Sequence, residues 1–556
     1  MPRRTLPGEA LSATGAPDRA PVLVVGAGPV GLTATIELLR RDVDVVCIDR
    51  APAPSTLSKA LAVWPRTLEI LSQLGGAPVI AERGLPVHSL RYFSSNNPIA
   101  TVRFNDRTRP VVLPQPDVED LLIQSLDRAG GSVLRGIELL ALEQDGEGVT
   151  VRLRDGEGEM FSQKFSHVIA ADGAGSTVRG LLGIGFDGET YPNTFVVADV
   201  DLGGALQHDA SYYYCSPKGI LVLVGLPGGR FRVFTSAPAD LDREDVPLSR
   251  VQELVDERGP GGLTLTDPTW VSAFSVHARH AARSRQGRVF LAGDAAHAHS
   301  PAGGQGMNTG IADAHNLAWK LALVWRGDSP SDVLDSYEAE RSQVAKSVVR
   351  QAHLQTKAWL VRRPEAVLVR DATLRLASAL RLPEAALVPT LAGLRTVYPV
   401  AEATSGRRAL GREWIPGALA PDRPVWETRA FRRLPLRAAL DPLRHTLLFC
   451  IGSSREIPDE VEELAGLAAG EAHVLDVRTL AADGTLRDGL SVPQASRLRR
   501  LVRRDALVLV RPDGHIDQIG TLAEAGRMTA RLQELFGPQR PRTAPLPTWQ
   551  RSALSA

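Results

Sequence analysis

Cysteine is scarce in this sequence: Cys47, Cys215 and Cys450 are the only three among 556 residues, and they lie far apart. No Cys-x-x-Cys pair is present, which excludes the redox motif and the zinc knuckle that such spacing reveals. So few cysteines favour a reducing, cytoplasmic compartment. Long hydrophobic runs are also missing, so we predict no membrane span. Residues 1–20 lack the apolar core of a signal peptide and are predicted to form a disordered leader.

An excess of charge of one sign is missing as well. Lys and Arg total 64 against 63 Asp and Glu, which gives a formal net charge of +1. This balance leaves no electrostatic footprint for nucleic acid or for an anionic membrane, and we predict neither as a partner. With 44% hydrophobic residues the chain can bury a large core. Its length predicts two or three domains.

Glycine, in contrast, is plentiful and is placed in motifs. Gly26, Gly28 and Gly31 follow the apolar run VLVV and open a helical pattern, and a second apolar run ends in Asp49. Gly26 permits a tight turn, Gly28 lets a diphosphate approach the backbone, and Gly31 lets the helix pack on the strand. In such βαβ units the acid holds ribose hydroxyls. The alternative is a glycine turn that binds nothing, and the complete strand, helix and acid context argues against it.

The stretch GDAAHAHSPAGGQGMNTG, residues 293–310, places Asp294 at the end of a buried-strand pattern, RVFLAGD, and begins a helix near Gly306. A helix start offers unpaired N–H groups to a negative ligand, such as the N1–C2=O edge of a reduced flavin. His297 and His299 suggest a metal as the alternative. They are two residues apart and would not share a helix face, and no further ligand is evident nearby. We predict no metal.

A third turn of the same kind is VIAADGAGSTVR, residues 168–179, with Asp172 and Gly173 after an apolar strand and Ser176 as a candidate helix cap. Arg179 is placed to meet a phosphate. The pattern Gly-x-Gly-x-x-Gly recurs at residues 183–188 without a flanking strand and helix, so we predict a loop there.

These three motifs, in this order and spacing, resemble the single-component FAD-dependent aromatic hydroxylases of the para-hydroxybenzoate hydroxylase type, from about Pro21 to Tyr398. The C-terminal part resembles the thioredoxin-like appendage of the phenol, polyketide and antibiotic hydroxylases, without its Cys-x-x-Cys pair, which implies a structural or dimer role. The implied fold is α/β: a Rossmann-like FAD-binding domain with an inserted antiparallel β-sheet substrate domain, and a thioredoxin-like α/β domain. The predicted boundaries are 21–189 with 281–360 for the FAD-binding domain, 190–280 for the substrate domain, 361–415 for a helical segment and linker, 416–540 for the thioredoxin-like domain and 541–556 for a tail.

The resemblance also implies roles for individual residues. Pro301 is the implied catalytic position, since its counterpart's carbonyl lies near the reactive flavin carbon. Lys59 stands where the family usually has an arginine near the diphosphate, and lysine lacks the bidentate fork. The implied cofactor-binding residues are Gly26, Gly28, Gly31, Asp49, Arg50 and Lys59 for the ADP part; Gln115 for the flavin chain; Asp172 and Gly173 for FAD and NAD(P)H; Gly293 and Asp294 for the ribityl or pyrophosphate region; and Gly304, Gly306, Met307 and Asn308 for the pyrimidine edge.

The implied reaction is hydroxylation of a phenolic or polyketide-derived aromatic, expected to be multi-ring, by NAD(P)H, O2 and a flavin C4a-hydroperoxide. NADPH is expected rather than NADH, with Arg50 and Arg179 in support. We expect a monomer or homodimer. Alternatives that stay open are Baeyer–Villiger insertion, epoxidation or antibiotic inactivation on the same fold, an FAD reductase that does not activate oxygen, and a flavin-free relative. A substrate-activating base is not identifiable, because His277, His280, Tyr212, Tyr213 and Tyr214 of the inserted sheet are better explained by packing or exposure.

Overall fold

A computed structural model describes residues 19–238, 241, 246–400, 410, 412–427, 432–451, 464, 471–481, 490–491 and 505–537. The chain divides into two compact units, one formed by Met1–Ala318 with Arg341–Leu394, the other by Trp319–Glu340 with Arg395–Ala556. The predicted tail lies outside the described residues, and so does nearly all of the predicted leader. The predicted α/β class is confirmed.

The first unit is built on a six-stranded sheet whose strands are parallel except for one edge strand. Its central strand, Val22–Val25, is completely apolar and buried, as expected for a parallel sheet covered on both faces. In spatial order the strands are Arg285–Gln286, Val289–Leu291, His167–Ala170, Val22–Val25, Val45–Asp49 and Val133–Arg135.

Several helices begin at a proline, and one begins at a side-chain cap, Ser176. Proline stands in the first turn of several of them, where its missing N–H costs nothing. None of the helices in the described part of the chain is long and apolar enough to cross a membrane. In chain order they are α1 Pro29–Leu39, α2 Pro65–Gln73, α3 Ala77–Arg83, α4 Gln115–Arg128, α5 Thr177–Leu181, α6 Leu248–Arg258, α7 Gly306–Arg326, α8 Asp335–Trp359, α9 Pro364–Ala379, α10 Val388–Leu391 and α11 Ala525–Phe536.

An eight-stranded sheet forms the second layer of this unit, and it is antiparallel except for one pair. The strand-rich segment predicted at residues 190–280 supplies most of it, but Ser89–Ser94 and Asn97–Arg103 also join it. The predicted loop at residues 183–188 is corrected in part, because Gly188 lies inside a strand, where its φ of +141° and its close approach to Ala278 favour glycine. The spatial order is His297–Ala298, Thr264–Ala281, Phe186–Gly203, Phe231–Ala237, Gly219–Gly225, Ala210–Ser216, Ser89–Ser94 and Asn97–Arg103.

Two small antiparallel sheets complete the first unit. One is a meander whose middle strand alternates buried and exposed residues, because one face covers the core and the other meets solvent. Its strands are Met160–Phe165, Val149–Arg154 and Glu138–Gln144, and those of the other sheet are Ala62–Val63, Val111–Val112 and Leu85–Pro86.

The second unit contains a seven-stranded mixed sheet, against which α11 packs. Apart from Leu464, the helical patterns near residues 459–468 and 492–502 lie outside the described residues. The thioredoxin-like assignment stays a prediction. In spatial order the strands are Arg432–Pro435, Pro424–Glu427, Leu490–Ser491, Leu475–Ala481, His445–Ile451, Ala506–Val510 and Ile516–Gly520.

A buried ionic cluster lies in the second unit. Lys320 donates to Glu340 at 2.8 Å, and Arg511 donates to both carboxylate oxygens of Glu340 and also binds Asp513. Burial lowers the pKa of Lys320 to about 8, against the opposing effect of Glu340. Burial would raise the pKa of Glu340, but Arg511 and Lys320 outweigh it and hold that pKa at about 2. The cluster is therefore ionised at neutral pH, and removing one member would leave an unpaired buried charge.

His445 is the opposite case, a fully buried imidazole whose two ring nitrogens have no hydrogen-bond partner in the described structure. Its ring packs edge-on against Trp319 and Phe536, each at 5.2 Å between centroids. Burial lowers its pKa from 6.5 to about 4. Because the unfolded chain binds the proton more readily, stability should be fully present above pH 6.5 and should fall towards pH 4.

We expect His445→Phe to stabilise the second unit and to flatten its pH dependence. Phenylalanine keeps the edge-on ring contacts and removes the two unsatisfied nitrogens. The loss of stability between pH 6.5 and pH 4 should shrink by about 1.4 kcal/mol per pH unit. The measurement is the thermal midpoint at pH 5 and pH 7. His473→Phe is the control, because His473 is 42% exposed, and an equal response of both variants would contradict the assignment.

Candidate functional site

The predicted turns follow neighbouring strands of the six-stranded sheet. The glycine loop follows Val22–Val25, and Asp49 ends the neighbouring strand on one side, Val45–Asp49. On the other side, the turn at residues 172–173 follows His167–Ala170, and the turn at residues 293–294 follows Val289–Leu291. These four strands are parallel and adjacent. Their carboxyl ends therefore meet at one edge of the sheet, which is where open α/β sheets bind ligands.

The three glycines of the first loop have different surroundings. A Cβ atom on Gly31 would lie 1.8 Å from the carbonyl oxygen of Gly26, and one on Gly26 would lie 2.4 Å from that of Ala171. Gly26 also has a φ of +100°, a backbone conformation that residues with a side chain rarely adopt. A Cβ on Gly28 would meet no protein atom within 4 Å. Gly26 and Gly31 are therefore required by the fold, and the backbone at Gly28 is open to something else.

Asp49 is fixed beside this loop by backbone donors. Its Oδ2 accepts from the N–H of Ala27 at 2.7 Å, and its Oδ1 accepts from the N–H of Ala51 at 2.8 Å. In the neighbouring strand Arg135 pairs in register with Asp49. Arg50, also predicted to bind the cofactor, is exposed. Arg135 was not predicted from the sequence, although it ends a strand next to the predicted acid.

Gln115 begins α4 on the same side of the sheet. Its Nε2 donates to Glu119 at 2.8 Å, and its backbone N–H donates to the carbonyl of Ala60 at 2.9 Å. Burial raises the pKa of Glu119, and the Gln115 hydrogen bond, Arg135 and Lys59 oppose that rise only in part. The structure therefore brings Gln115 and the exposed Lys59 to the Asp49 end of the site.

Asp172 turns one carboxylate oxygen into the protein and leaves the other without a partner. Oδ2 accepts from the N–H of Val178 at 3.1 Å, whereas Oδ1 is buried and has no hydrogen-bond partner in the described structure. Gly173 has a φ of +82° and nothing within 4 Å of its Cβ position. A buried carboxylate oxygen is costly to leave unpaired, so Oδ1 is available to a donor from a ligand.

The helix that follows is capped as predicted. Ser176 Oγ accepts from the backbone N–H of Arg179 at 3.0 Å. The guanidinium of Arg179 donates to the carbonyls of Ala295 and Ala174 and lies 3.8 Å from the ring centre of Phe186. These contacts use Arg179 to join two turns of the site, which weakens its predicted role as a phosphate contact.

The turn at Gly293 is held from below by a buried acid. Asp313, which is 1% exposed, accepts from the N–H of Gly293 at 3.0 Å, from His297 Nε2 at 2.7 Å and from Arg341 Nε at 2.6 Å. Burial would raise the pKa of Asp313, but Arg341 and His297 outweigh it and lower that pKa. Asp294, the next residue in the turn, is exposed at the edge of the sheet. Sequence reasoning identified Asp294 and missed both Asp313 and Arg341.

His299 lies against the start of α7. Its Nδ1 lies 2.8 Å from the carbonyl of Ser300, and its Nε2 lies 3.9 Å from the Cβ position of Gly306. Nε2 is buried and has no hydrogen-bond partner in the described part of the chain. Burial lowers the pKa of His299, so the ring is neutral at pH 7. An unpaired ring nitrogen therefore faces the N-terminus of the helix that was predicted to meet the flavin.

Hydroxyl groups and a tight turn hold the loop that contains Pro301. Ser300 Oγ accepts from the N–H of Ala302 at 3.2 Å and from Thr356 Oγ1 at 2.7 Å. The carbonyl of Pro301 accepts from the N–H of Gly304 at 2.9 Å. Pro301 itself is exposed. The loop thus presents an exposed proline on a turn anchored to α8.

Asn308 locks the start of α7 to the neighbouring small sheet. Its Nδ2 donates to the carbonyls of Ala62 and Gly304, each at 2.8 Å, and its Oδ1 accepts from the N–H of Trp64 at 2.8 Å. Because these contacts occupy the Asn308 side chain, only the backbone of Asn308 is available to a ligand. The same is true of Gly306, which has no side chain. Met307, the remaining predicted residue here, is largely buried.

Aromatic side chains and a histidine line the adjoining face of the eight-stranded sheet. Tyr191 Oη lies 2.8 Å from His353 Nδ1, and Tyr213 stacks on Tyr92 at 4.7 Å and lies 5.4 Å from Trp359. Burial raises the pKa of Tyr213 to about 12, which keeps its phenol neutral. Three of the other side chains set aside from catalysis have partners of their own: Tyr212 with Gln207, Tyr214 with Phe93, and His277 with Thr190. His280 lies on a strand of the sheet, where its backbone is paired in register with His297.

The site fits the flavin dinucleotide that the motifs suggested. The backbone at Gly28 leaves room for a diphosphate at the uncapped start of α1. Asp172 Oδ1 offers a buried acceptor that has no partner in the described part of the chain, and the start of α7 offers N–H groups. Within the described residues no group of three or more His, Cys, Asp or Glu side chains could hold a metal ion.

Comparison with known proteins gives concordant matches. A family model described as an FAD binding domain matches residues 19–352. A 6-methylpretetramide 4-monooxygenase of Streptomyces rimosus is 34% identical over 544 residues, which cover 93% of this chain and 94% of that protein. The solved flavin-dependent monooxygenase PieE, in complex with FAD and substrate, superposes with a TM-score of 0.78 at 27% identity over 94% of this chain and 100% of that one. An anhydrotetracycline hydroxylase from Streptomyces rimosus superposes with a TM-score of 0.73 at 29% identity and the same coverages.

Proposed function

The chain belongs to the FAD-binding-domain family of flavin-dependent aromatic monooxygenases, and on this premise we propose that it hydroxylates a multi-ring, polyketide-derived aromatic compound with NAD(P)H and O2. The observation that carries the proposal is the meeting of three acid-and-glycine turns at one sheet edge, where Asp172 Oδ1 is buried and has no partner among the described residues. The multi-ring substrate is supported by similarity along nearly the whole chain to a 6-methylpretetramide 4-monooxygenase and an anhydrotetracycline hydroxylase.

We assign the FAD contacts to groups that the fold leaves accessible. The Gly28 backbone and the start of α1 would take the diphosphate, and the Asp49 carboxylate, already oriented by two backbone donors, would take the ribose. Asp294 would take the ribityl or pyrophosphate region. The other proposed contacts are Gly26, Gly31, Arg50, Lys59, Gln115, Asp172, Gly173, Gly293, Gly304, Gly306, Met307 and Asn308.

When bound, the flavin would accept reducing equivalents from NAD(P)H and transfer one oxygen atom of O2 to the substrate. The chain would position the reactants and keep water out. Ser300 and Thr356 would fix the exposed Pro301 where its carbonyl faces the flavin, and the buried aromatic rings around Tyr213 and Trp359 would provide an apolar wall beside that position. The preference for NADPH, a cytoplasmic location, the predicted domain boundaries and the thioredoxin-like appendage remain proposals.

The direct test is the oxidation of NADPH, and separately of NADH, by the purified FAD-loaded chain in air across a panel of phenols and polycyclic quinones. Hydrogen peroxide and products are quantified in the same samples. We expect one multi-ring compound to speed NADPH oxidation while the peroxide yield falls and a product with one additional oxygen atom appears. A matched anaerobic reaction should reduce the flavin without forming that product.

Two results would count against the proposal. If the flavin is reduced anaerobically but every compound leaves all electrons as peroxide in air, the chain acts as a reductase or oxidase. If the product contains a ring-inserted oxygen or an epoxide instead of a hydroxyl, the monooxygenase class holds and hydroxylation is replaced by one of the alternative outcomes.

A further inference from the structure

The helix α9 (Pro364–Ala379) is firmly attached to the first unit by its inner face. Arg370 donates to Ser94 Oγ at 3.0 Å, and Ser378 Oγ exchanges hydrogen bonds with the backbone of Thr101. Leu374 packs into the cluster that includes Tyr92. These contacts hold α9 on the outermost strands of the eight-stranded sheet, so its outer face has a defined orientation.

That outer face is apolar and exposed. Leu368 is 70% exposed, Val369 66% and Leu376 63%, and Leu380, just beyond the helix, is 60% exposed. Ala372, between the leucines, is exposed as well. Because α-helical residues four apart share a face, Leu368, Ala372 and Leu376 form one continuous stripe. Large exposed apolar side chains concentrated on one element mark an interaction surface. We call this stripe, with Val369 and Leu380, the α9 face.

We propose that the α9 face is the dimer interface of this protein and that its occupant is the α9 face of a second copy of the chain, running antiparallel. The stripe is symmetric about Ala372. A two-fold axis through Ala372 would place Leu368 against the partner's Leu376, and Leu376 against the partner's Leu368, as an isologous contact requires. The small side chain of Ala372 at the axis would let the two helices approach closely.

The charges on the α9 face also suit a second copy. Glu365 lies near the start of the exposed face, and Arg375 lies towards its end, both exposed. In the antiparallel arrangement Glu365 lies within about one helical turn of the partner's Arg375. The two-fold axis generates this opposite-charge pair twice. A parallel arrangement would place like charges together, so the charge pattern favours the antiparallel dimer.

The test is sedimentation equilibrium of the FAD-loaded full-length chain over a range of concentrations. We expect a dimer for the wild type and roughly a hundredfold weaker association for Leu376→Glu, since the axis places the new charge in the interface twice. Met160→Glu is the matched control, because Met160 is 64% exposed on a strand outside the α9 face and should leave the dimer intact. Unchanged flavin absorbance and thermal midpoint would show that each variant is folded.

A charge exchange tests the arrangement independently of the leucines. Glu365→Arg and Arg375→Glu should each weaken the dimer, and the double variant should restore it. The proposal is overturned if the wild type stays monomeric across the concentration range, if Leu376→Glu associates as tightly as the wild type, or if the double variant is weaker than both single variants. A monomeric wild type that binds anionic lipid vesicles through the α9 face would also overturn it and would assign the surface to a membrane.

Discussion

Gly28→Ala should leave the fold of the protein intact and weaken FAD binding by about one to two orders of magnitude, whereas Gly31→Ala should prevent folding of the first unit. The two glycines are three residues apart in the same loop, and both would carry a single methyl group. The difference in outcome follows from what that methyl group would meet.

At Gly31 the added Cβ would lie 1.8 Å from the carbonyl oxygen of Gly26, a distance that no side-chain rotation can relieve. At Gly28 it would meet no protein atom within 4 Å, and the backbone there, with φ near −78°, suits alanine. The methyl group of Gly28→Ala would therefore occupy only the space that we assign to the diphosphate. Gly28→Ala should therefore prevent the close approach of the diphosphate to the backbone and leave the stability of the FAD-free protein unchanged.

The measurements are the thermal midpoint of the FAD-free protein and the dissociation constant of FAD by flavin fluorescence titration. Gly146→Ala is the matched control, because a Cβ there also meets nothing within 4 Å and the residue lies in a turn away from the sheet edge. Unaltered FAD affinity in Gly28→Ala would remove the diphosphate from this loop. An equal loss of stability in Gly28→Ala and Gly31→Ala would contradict the geometry of the loop.

The features that could be predicted from the sequence are those determined by residues close together in the sequence. Gly26, Gly28 and Gly31 form their turn from a single short segment, and the acids at residues 49, 172 and 294 each end a recognisable apolar strand. Because parallel strands place their carboxyl ends at one edge, recognising the strands was enough to bring the turns together. Ser176 was predicted as a cap for the same local reason, and the structure confirms it.

The features that were missed depend on contacts between distant segments. Asp313 and Arg341 are 28 residues apart, and nothing in either local pattern shows that they meet beneath Gly293. The strand Ser89–Ser94 joins the eight-stranded sheet by pairing with a strand more than a hundred residues later. Residues 183–188 were assigned to a loop because no strand and helix pattern flanks their glycines, but a close backbone approach to Ala278 explains Gly188 in a strand.

Asp313→Asn should destabilise the first unit by roughly 3–5 kcal/mol, although it changes only one oxygen to nitrogen. Each carboxylate oxygen of Asp313 accepts from donors: Oδ1 from Arg341, and Oδ2 from Gly293 and His297. The Asn side chain has one acceptor oxygen and one NH2 group that only donates, so this NH2 group would face either the Arg341 guanidinium or the Gly293 N–H. Arg341 would also lose its buried counter-charge, and the turn that carries Asp294 would lose its anchor.

Asp294→Asn is the matched comparison in the same turn. Asp294 is exposed, and its carboxylate accepts no hydrogen bond among the described residues, so this variant should keep the thermal midpoint of the FAD-free protein. It should nevertheless weaken FAD binding, because the carboxylate is assigned to the cofactor. Asp313→Asn should lower the thermal midpoint first and weaken FAD binding only as a consequence of moving the turn.

The two acids are therefore separated by measuring stability without FAD and affinity with FAD on the same variants. Arg341→Lys adds an intermediate case that keeps the charge but loses the guanidinium donor to Asp313 Oδ1, and it should fall between the wild type and Asp313→Asn in stability. If Asp294→Asn is destabilised as strongly as Asp313→Asn, the division into a binding acid and an anchoring acid is wrong. If Asp313→Asn is as stable as the wild type, the buried network does not hold the turn, because an amide cannot satisfy donors on both sides.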